Sequence, residues 1–221
     1  MTEIVRLKAC DPGWGARVAT IHAAEIRHGV LPLLGDKILA RLYRGLAGAP
    51  RSGVWAAVDG GTICGFLAGC ADARSTYRRV ALAGAVPLGV GLIVRLAGSP
   101  LLRRKVAALI SYALREPGAS SEVSPTPAAG HGQAELLAIA VSADHQGRGA
   151  GRRLVEAFES AIREWGVDHY WVSTNIAETA SNQFYRARGF VPAGTIAHHD
   201  LTLQQYCKRL APFAPPGHRT S

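Results

Sequence analysis

The chain has 221 residues, 48% of them hydrophobic, and it carries a formal net charge of +9. This length and composition fit one globular domain that can bury a core of its own. The four cysteines form no C-x-x-C pair and no metal-ligand spacing, and the first residues hold no apolar signal sequence, so we expect a cytoplasmic protein without a metal site.

The first 70 residues predict helices and strands in the order β-α-α-β-β. Hydrophobic alternation indicates the first strand, apolar residues at helical spacing indicate the two helices, and the turn Asp59-Gly60-Gly61-Thr62 is typical of a hairpin. We expect Asp36 to cap the second helix. The predicted elements are a strand at 2–10, helices from Asp11 to about Ala24 and from Asp36 to about Leu46, and strands at 54–58 and 63–70.

A basic and apolar segment follows. Between Ala73 and Arg115 no residue is acidic and eight are basic, so most of the net charge lies here. The apolar run at 80–94 has fifteen residues, fewer than the roughly 20 that cross a bilayer. Residues 116–132 are rich in Pro, Ser, Ala and Gly and predict a flexible loop.

Three interpretations of this basic segment are open. It could be a helical hairpin packed on the domain, with a homodimer interface as one use. Residues 74–115 could instead make a peripheral contact with an anionic membrane, which would place the protein at the inner membrane surface. The third interpretation is a lid that attracts an anionic substrate. No helix-turn-helix, zinc or aromatic-stacking signature accompanies the charge, so we expect no nucleic-acid partner.

The segment from Glu135 to Trp165 predicts a buried strand, a tight turn and an amphipathic helix. The six apolar residues from Leu136 to Val141 suit a strand better than a helix. The residues expected on the buried face of the helix are Leu154, Val155, Phe158, Ala161, Ile162 and Trp165. Those expected on its solvent face are Arg152, Arg153, Glu156, Glu159, Arg163 and Glu164, with Glu159 and Arg163 as an i, i+4 pair.

The turn from Gln146 to Gly151 is rich in glycine. Because the first N–H groups of a helix lack partners and carry partial positive charge, glycines here let an anion such as a diphosphate approach the bare amides. Arg148, Arg152 and Arg153 would add charge at the rim. The alternative is a plain connection whose glycines serve only packing. The dinucleotide pattern G-x-G-x-x-G fails at Arg152, and the Gly-Lys-Ser/Thr of a nucleotide P-loop is missing.

Two motifs resemble those of the GNAT superfamily of acetyl-CoA-dependent N-acetyltransferases. The turn matches Q/R-x-x-G-x-G/A at Gln146, Gly149 and Gly151. The segment 178–190 resembles the second motif, whose FY…GF ending stands here as Phe184-Tyr185 and Gly189-Phe190. The resemblance covers roughly residues 133 to 195. It implies an α/β fold with a mixed central sheet of about seven strands and flanking helices. The corresponding layout is a single domain at 1–210, an insertion at 73–132 between strands 3 and 4, and a disordered tail at 211–221.

The resemblance also implies where acetyl-CoA binds as co-substrate. In the family the turn amides hold the diphosphate, and a bulged strand that splays from its neighbour meets the pantetheine arm. The implied cofactor-binding residues are Ile139, Ala140, Val141, Gln146, Gly147, Arg148, Gly149, Ala150, Gly151, Arg152, Asn182 and Tyr185. The family usually has Asn seven residues before the Tyr, where this chain has Glu178, so Asn182 or Asn175 would have to supply that amide contact.

Two residues are candidates for proton transfer. Tyr185 matches the family position of a tyrosine that points at the CoA sulfur, and a phenol can protonate a departing thiolate; the alternative is packing under the cofactor. Glu135 is the candidate base, because one branch of the family has a catalytic glutamate at the start of this strand and burial would raise its pKa. The alternative is a solvated glutamate. Further candidates for proton transfer are His22, His28, His131, His198 and His199.

The acceptor is less constrained by the sequence. In the family the first two helices and their loop form one wall of its pocket. The first half of the chain is loosely similar to family members from bacterial surface-polysaccharide pathways, which favours a small-molecule amine such as an amino sugar or a nucleotide-linked amino sugar. The alternatives are a peptide or protein amine and a catalytically silent acyl-CoA-binding module.

Overall fold

The computed structural model describes residues 2–11, 13–26, 31–80, 133–198 and 201–211. The strands are β1 (Glu3–Arg6), β2 (Ser52–Asp59), β3 (Thr62–Cys70), β4 (Ala134–Val141), β5 (His169–Asn175), β6 (Val191–His198) and β7 (Leu201–Arg209). The helices are α1 (Trp14–Glu25), α2 (Leu31–Leu34), α3 (Asp36–Gly48), α4 (Ala150–Glu164) and α5 (Thr179–Ala187). Residues 73–80 are also helical.

The seven strands form one mixed sheet in the order β1-β2-β3-β4-β5-β7-β6. Its central pair, β4 and β5, is parallel, and every other pair is antiparallel. A parallel pair needs a crossover connection, and α4 provides it. The predicted α/β fold with a mixed sheet of about seven strands is confirmed.

Helices cover both faces of the sheet. On one face Val18, Leu39 and Phe66 share a core built by α1, α3 and the sheet. On the other face Leu154 and Phe158 of α4 pack with Tyr185 of α5. Side chains alternate between the faces along a regular strand, so most neighbouring residues of β4 contribute to different cores. The central strands therefore present groups to both sides of the sheet.

The N-terminal elements differ from the prediction in two respects. The first strand ends at Arg6, because the chain turns at Lys8, whose carbonyl accepts hydrogen bonds from the Asp11 amide and the Trp14 indole. Asp36 is not a cap: Gly35 holds the N-cap position with a φ of 82°, and Asp36 is the first helical residue. The short helix α2 ends directly before Gly35. The chain passes from α2 into α3 through a positive φ at Gly35, a conformation that glycine adopts readily.

The hairpin prediction is confirmed. Gly60 and Gly61 join β2 to β3 with φ values of 55° and 77°, the left-handed pair that a type I′ turn needs. Apart from Val80, the apolar run at 80–94 lies outside the described residues, and so do the predicted loop at 116–132 and residues 212–221 of the tail. No helix within the described ranges is long and apolar enough to cross a membrane.

Candidate active site

The parallel strands β4 and β5 meet at only two residue pairs. These pairs are Ala134 with Tyr170 and Glu135 with Trp171. Beyond them β5 continues to pair with β7 as far as Asn175, while β4 continues without a strand on that side. The result is a gap in the centre of the sheet, with the backbone of the second half of β4 along one edge.

A register shift on the other side of β4 accompanies the gap. Ala68 pairs with Ala138, but Gly69 pairs with Leu136, which leaves Leu137 as an extra residue. A bulge of this kind bends a strand and increases its twist, and it re-aims the backbone that follows. The expected bulge and splay are therefore both present, and the edge from Ile139 to Val141 can accept or donate hydrogen bonds in the gap.

The glycine turn lies at the carboxyl end of β4. Gly147 and Gly149 have φ values of 73° and 83°, and no atom lies within 4 Å of a Cβ placed on either residue. Gly149 is the N-cap of α4 and provides no side-chain hydrogen bond, so the first amides of the helix are left uncapped. Residues 146–149 are exposed. This open, uncapped helix start fits a diphosphate group, with Arg148 and Arg152 beside it.

Gln146 and Glu25 hold this turn to α1. The Gln146 side-chain amide donates to the Val141 carbonyl at 2.9 Å and to Glu25 Oε2 at 3.2 Å. Glu25 Oε1 accepts from the Ala143 amide at 3.1 Å. The described contacts of Gln146 thus shape the turn. Sequence reasoning gave Glu25 no role, since no local pattern links residues 121 positions apart.

Tyr185 is packed in the core on the α4 side of the sheet. Its side chain is 5% exposed, and its ring contacts Phe184, Phe190 and Tyr206 at centroid distances of 5.4, 5.3 and 5.8 Å. Burial raises the pKa of Tyr185 above that of a free phenol, so the hydroxyl stays protonated through the neutral range. Its hydroxyl has no hydrogen-bond partner among the described residues.

Glu135 stands at the start of the gap on the opposite face of the sheet. Leu136 belongs to the core on the α4 face, so its neighbour Glu135 points to the other face, the side of its antiparallel partner Cys70. Burial raises the pKa of the half-buried Glu135 carboxyl to about 7. At neutral pH this carboxyl is therefore poised between its protonated and ionised forms.

Two buried polar atoms near Glu135 lack partners within the described structure. They are the Trp171 indole nitrogen, which belongs to the residue paired with Glu135, and Oε1 of Gln133. An unsatisfied buried polar group costs free energy, so such groups are often completed by a ligand or a water. One is a donor and the other an acceptor.

The side-chain amide of Asn182 is hydrogen-bonded at both ends. Its Nδ2 donates to the carbonyls of Asn175 and Glu178 at 2.9 and 2.8 Å, and its Oδ1 accepts from the Tyr206 hydroxyl at 2.8 Å. Both ends of the amide are thus used to close the turn between β5 and α5. The contact of Asn182 with the cofactor, which the family resemblance implies, stays a prediction, and the amide oxygen keeps a second lone pair that can accept a hydrogen bond.

Glu159 was predicted on the solvent face of α4, and this prediction is wrong. The residue is 6% exposed. Its Oε1 accepts from the Tyr170 hydroxyl at 2.8 Å and from Lys208 Nζ at 2.6 Å, while Arg163 lies 3.7 Å from Oε2 as predicted. Partners from β5 and β7 compensate the buried charge, and the helical pattern of the sequence cannot reveal them.

His22, in the last turn of α1, is a core residue. It is 1% exposed, its Nδ1 lies 2.6 Å from the Tyr43 hydroxyl, and its Nε2 is buried without a partner in the part of the chain described. Burial lowers the pKa of His22 to about 4, so the ring is neutral at physiological pH. His28, His131 and His199 lie outside the described residues. Among those described, no three His, Cys, Asp or Glu residues are grouped to hold a metal ion.

Comparisons with known proteins agree with this geometry. The sequence model of the Acetyltransferase (GNAT) family matches residues 24–190. No curated protein matches the chain at a significant level. Solved structures with the same fold include the ribosomal-protein-S18-alanine N-acetyltransferase of Escherichia coli, at 15% identity and a TM-score of 0.55, with 98% of this chain and 97% of that chain covered.

Two further solved structures share the fold. Ard1 of Thermoplasma volcanium is 14% identical with a TM-score of 0.56, over 95% of this chain and 98% of that one. The acetyltransferase yncA of Salmonella typhimurium, solved with its cofactor acetyl-CoA, is 15% identical with a TM-score of 0.55, over 99% of both chains. At these identities the likeness shows the fold alone, whereas the family match spans most of the chain. The protein is therefore a member of the GNAT acetyltransferase family, an enzyme whose co-substrate is acetyl-CoA.

Proposed function

We propose that the enzyme transfers acetyl from acetyl-CoA to a primary amine by direct attack, with Glu135 as general base and Tyr185 as general acid. The ammonium form of the acceptor gives a proton to the Glu135 carboxylate, and the free amine then attacks the thioester carbonyl carbon. The C–N bond forms and the C–S bond breaks. The second amine proton leaves to solvent, and the departing thiolate takes its proton from the Tyr185 hydroxyl. Before the next turnover Glu135 releases its proton to solvent and the Tyr185 phenolate takes one up from solvent.

The observation that carries this proposal is the gap between β4 and β5. Glu135 lies at its start on one face of the sheet, and Tyr185 is packed on the other face. A thioester held along the β4 edge would then have a base on the acceptor side and an acid on the thiol side. The pKa of Glu135, about 7, suits a general base because the carboxyl titrates near neutrality, and the raised pKa of Tyr185 means that the phenol holds a proton that it can donate.

For the acceptor we propose an amino sugar, free or linked to a nucleotide. Support comes from Trp171 Nε1 and Gln133 Oε1, a donor and an acceptor that are buried near Glu135 and lack partners in the described structure. A hydroxylated amine could satisfy both, while a simple alkyl amine could not. The loose similarity of the first half of the chain to surface-polysaccharide enzymes is consistent with this choice.

The test is thiol release from acetyl-CoA over a panel of amines. The panel contains amino sugars, nucleotide-linked amino sugars, peptides with free N-termini and simple alkyl amines. We expect amino sugars to give the highest kcat/KM. Tyr185→Phe should lower kcat by roughly 100-fold and leave the Kd for CoA within about threefold of wild type. Preference for peptides would instead assign a peptide or protein N-acetyltransferase. CoA binding without turnover on any amine, and no effect of Tyr185→Phe, would favour a silent acyl-CoA-binding module.

A peripheral contact with anionic lipid is proposed as well. Its support is the exposed pair Arg78 and Arg79 on the helical residues 73–80, which begin the basic segment. Co-sedimentation with anionic liposomes at low and high salt tests it, because a contact made by exposed charges weakens as salt screens them. Absence of binding at low salt would exclude the contact. The homodimer stays a proposal that sedimentation velocity can check.

A further inference from the structure

A polar groove lies between α4 and α5, beside the glycine turn. Its volume is about 270 Å³, and the lining residues are Arg152, Val155, Glu156, Glu159, Ala187, Arg188 and Lys208. Sites that enclose a whole small molecule usually measure roughly 300–1,000 Å³. The groove is therefore better suited to one part of a ligand that other contacts hold elsewhere.

The groove has one positive charge in excess. Arg152 is paired with Glu156 at 3.4 Å, and Lys208 with Glu159 at 2.6 Å. Arg188, which is half-buried, has no acidic partner among the described residues, and its Nε is buried without a hydrogen-bond acceptor. Two compensated pairs and one uncompensated guanidinium favour an anionic group with oxygen acceptors.

Contacts link Arg188 to the glycine turn. Its guanidinium carbon lies 5.7 Å from the centroid of the Phe184 ring, a cation–π distance that fixes the orientation of the charged group. The same ring lies 3.3 Å from the position of a Cβ on Gly151. Arg152, at the other end of the groove, belongs to the first turn of α4. The groove therefore begins at the first turn of α4, directly after the amides that fit a diphosphate.

We propose that this groove binds the 3′-phosphate on the adenosine end of CoA, and that Arg188 is the residue that recognises it. Acetyl-CoA carries a diphosphate and one further phosphoryl group on its ribose. With the diphosphate at the turn, the ribose phosphate is the remaining anion that can meet Arg188 in the adjacent groove. Arg188 then makes the enzyme selective for CoA over dephospho-CoA. This inference rests on the acetyl-CoA dependence of the family, and it is independent of the acceptor and of the roles of Glu135 and Tyr185.

Calorimetric titration of the full chain with CoA and with dephospho-CoA tests the inference. We expect wild type to bind CoA roughly tenfold more tightly than dephospho-CoA, as a charge-assisted hydrogen bond allows. Arg188→Leu should remove this preference by weakening CoA alone. Arg209→Leu is the matched control, because it removes the same charge. Arg209 is exposed, follows Lys208 in the chain and does not line the groove. This variant should keep the preference.

Other outcomes overturn the proposal. Equal binding of CoA and dephospho-CoA by wild type excludes a 3′-phosphate subsite, although acetyl-CoA dependence would stand. If Arg188→Leu weakens the binding of both ligands equally, Arg188 supports the structure of the site and does not recognise the 3′-phosphate. A second measurement needs no variant: adenosine 3′,5′-bisphosphate should displace CoA at lower concentration than adenosine 5′-monophosphate does, and equal potency contradicts the proposal. Failure to bind CoA at all would overturn both this inference and the assignment of the co-substrate.

Discussion

Glu135 on β4 stands directly opposite Trp171 on β5, and theirs is the last pair at which the two parallel strands meet. The first residue with a free strand edge beside it, Leu136, comes next in the chain. A titratable carboxyl with a pKa of about 7 is thereby fixed at the mouth of the gap by the pairing of the sheet itself. The side chain that would accept the proton is placed by strand geometry and not by a mobile loop.

Replacement of Glu135 by Gln should abolish most turnover. We expect kcat to fall by roughly 100-fold or more, with the Kd for CoA unchanged, since the shape is kept and only the base is lost. In wild type kcat/KM should rise with pH up to about 7, because the carboxyl must be ionised to accept a proton. In the variant this dependence should be absent. Glu164→Gln, at the exposed end of α4, is the control and should behave as wild type. A variant that keeps the wild-type pH profile would assign the base to another group.

The same substitution should stabilise the folded protein at alkaline pH. The pKa of Glu135 is raised from 4.5 to about 7 by burial, so the folded state holds a proton that the unfolded state releases. Its contribution to stability is therefore present below the unfolded pKa and lost as pH rises through the folded value. The free energy of unfolding of Glu135→Gln, measured by urea titration relative to wild type, should increase between about pH 5 and pH 8. A difference that is independent of pH would mean that Glu135 is solvated.

The local elements of the site were predictable from the sequence. The run before Val141 and the glycines at 147 and 149 specify a strand, a turn and a helix within a few residues, because periodicity and glycine conformations act locally. The type I′ hairpin at Gly60 and Gly61 followed for the same reason. These features place the glycine turn, where we propose that the diphosphate binds, and one side of the sheet.

The bulge, the gap and the burial of Glu159 depend on residues that are distant in the sequence. The bulge at Leu137 exists only against β3, and the gap exists only because β7 pairs with β5 where β4 does not. Glu159 looked like a surface residue because the Tyr170 and Lys208 side chains that bury it belong to other strands. A helical pattern shows which residues share a face but does not show what covers that face.

Substitutions of two glycines at opposite ends of α4 can distinguish the effect of backbone strain from a loss of ligand contacts. Gly149 and Gly166 have φ values of 83° and 73°, and both have open space where a Cβ would stand. Substitution by Ala should lower the free energy of unfolding by about 1 kcal/mol at either position, since an L residue disfavours the left-handed region. Only Gly149 borders the uncapped amides. Gly149→Ala should therefore weaken CoA binding by roughly tenfold, and Gly166→Ala should leave it unchanged in calorimetric titrations. Equal effects of both on CoA binding would place the diphosphate elsewhere.

His22 should make the protein sensitive to acid. Burial lowers its pKa from 6.5 to about 4, so the unfolded chain binds a proton in a range where the folded chain does not. The stability that this group contributes is present above the unfolded pKa and is lost as pH falls through the folded value. In His22→Asn the side-chain amide can keep a hydrogen bond to the Tyr43 hydroxyl but cannot titrate. Between about pH 6.5 and pH 4, urea titrations should show wild type losing on the order of 2–3 kcal/mol more stability than the variant. Parallel losses in the two proteins would show that His22 takes up its proton equally in the folded and unfolded states, which burial of the ring opposes.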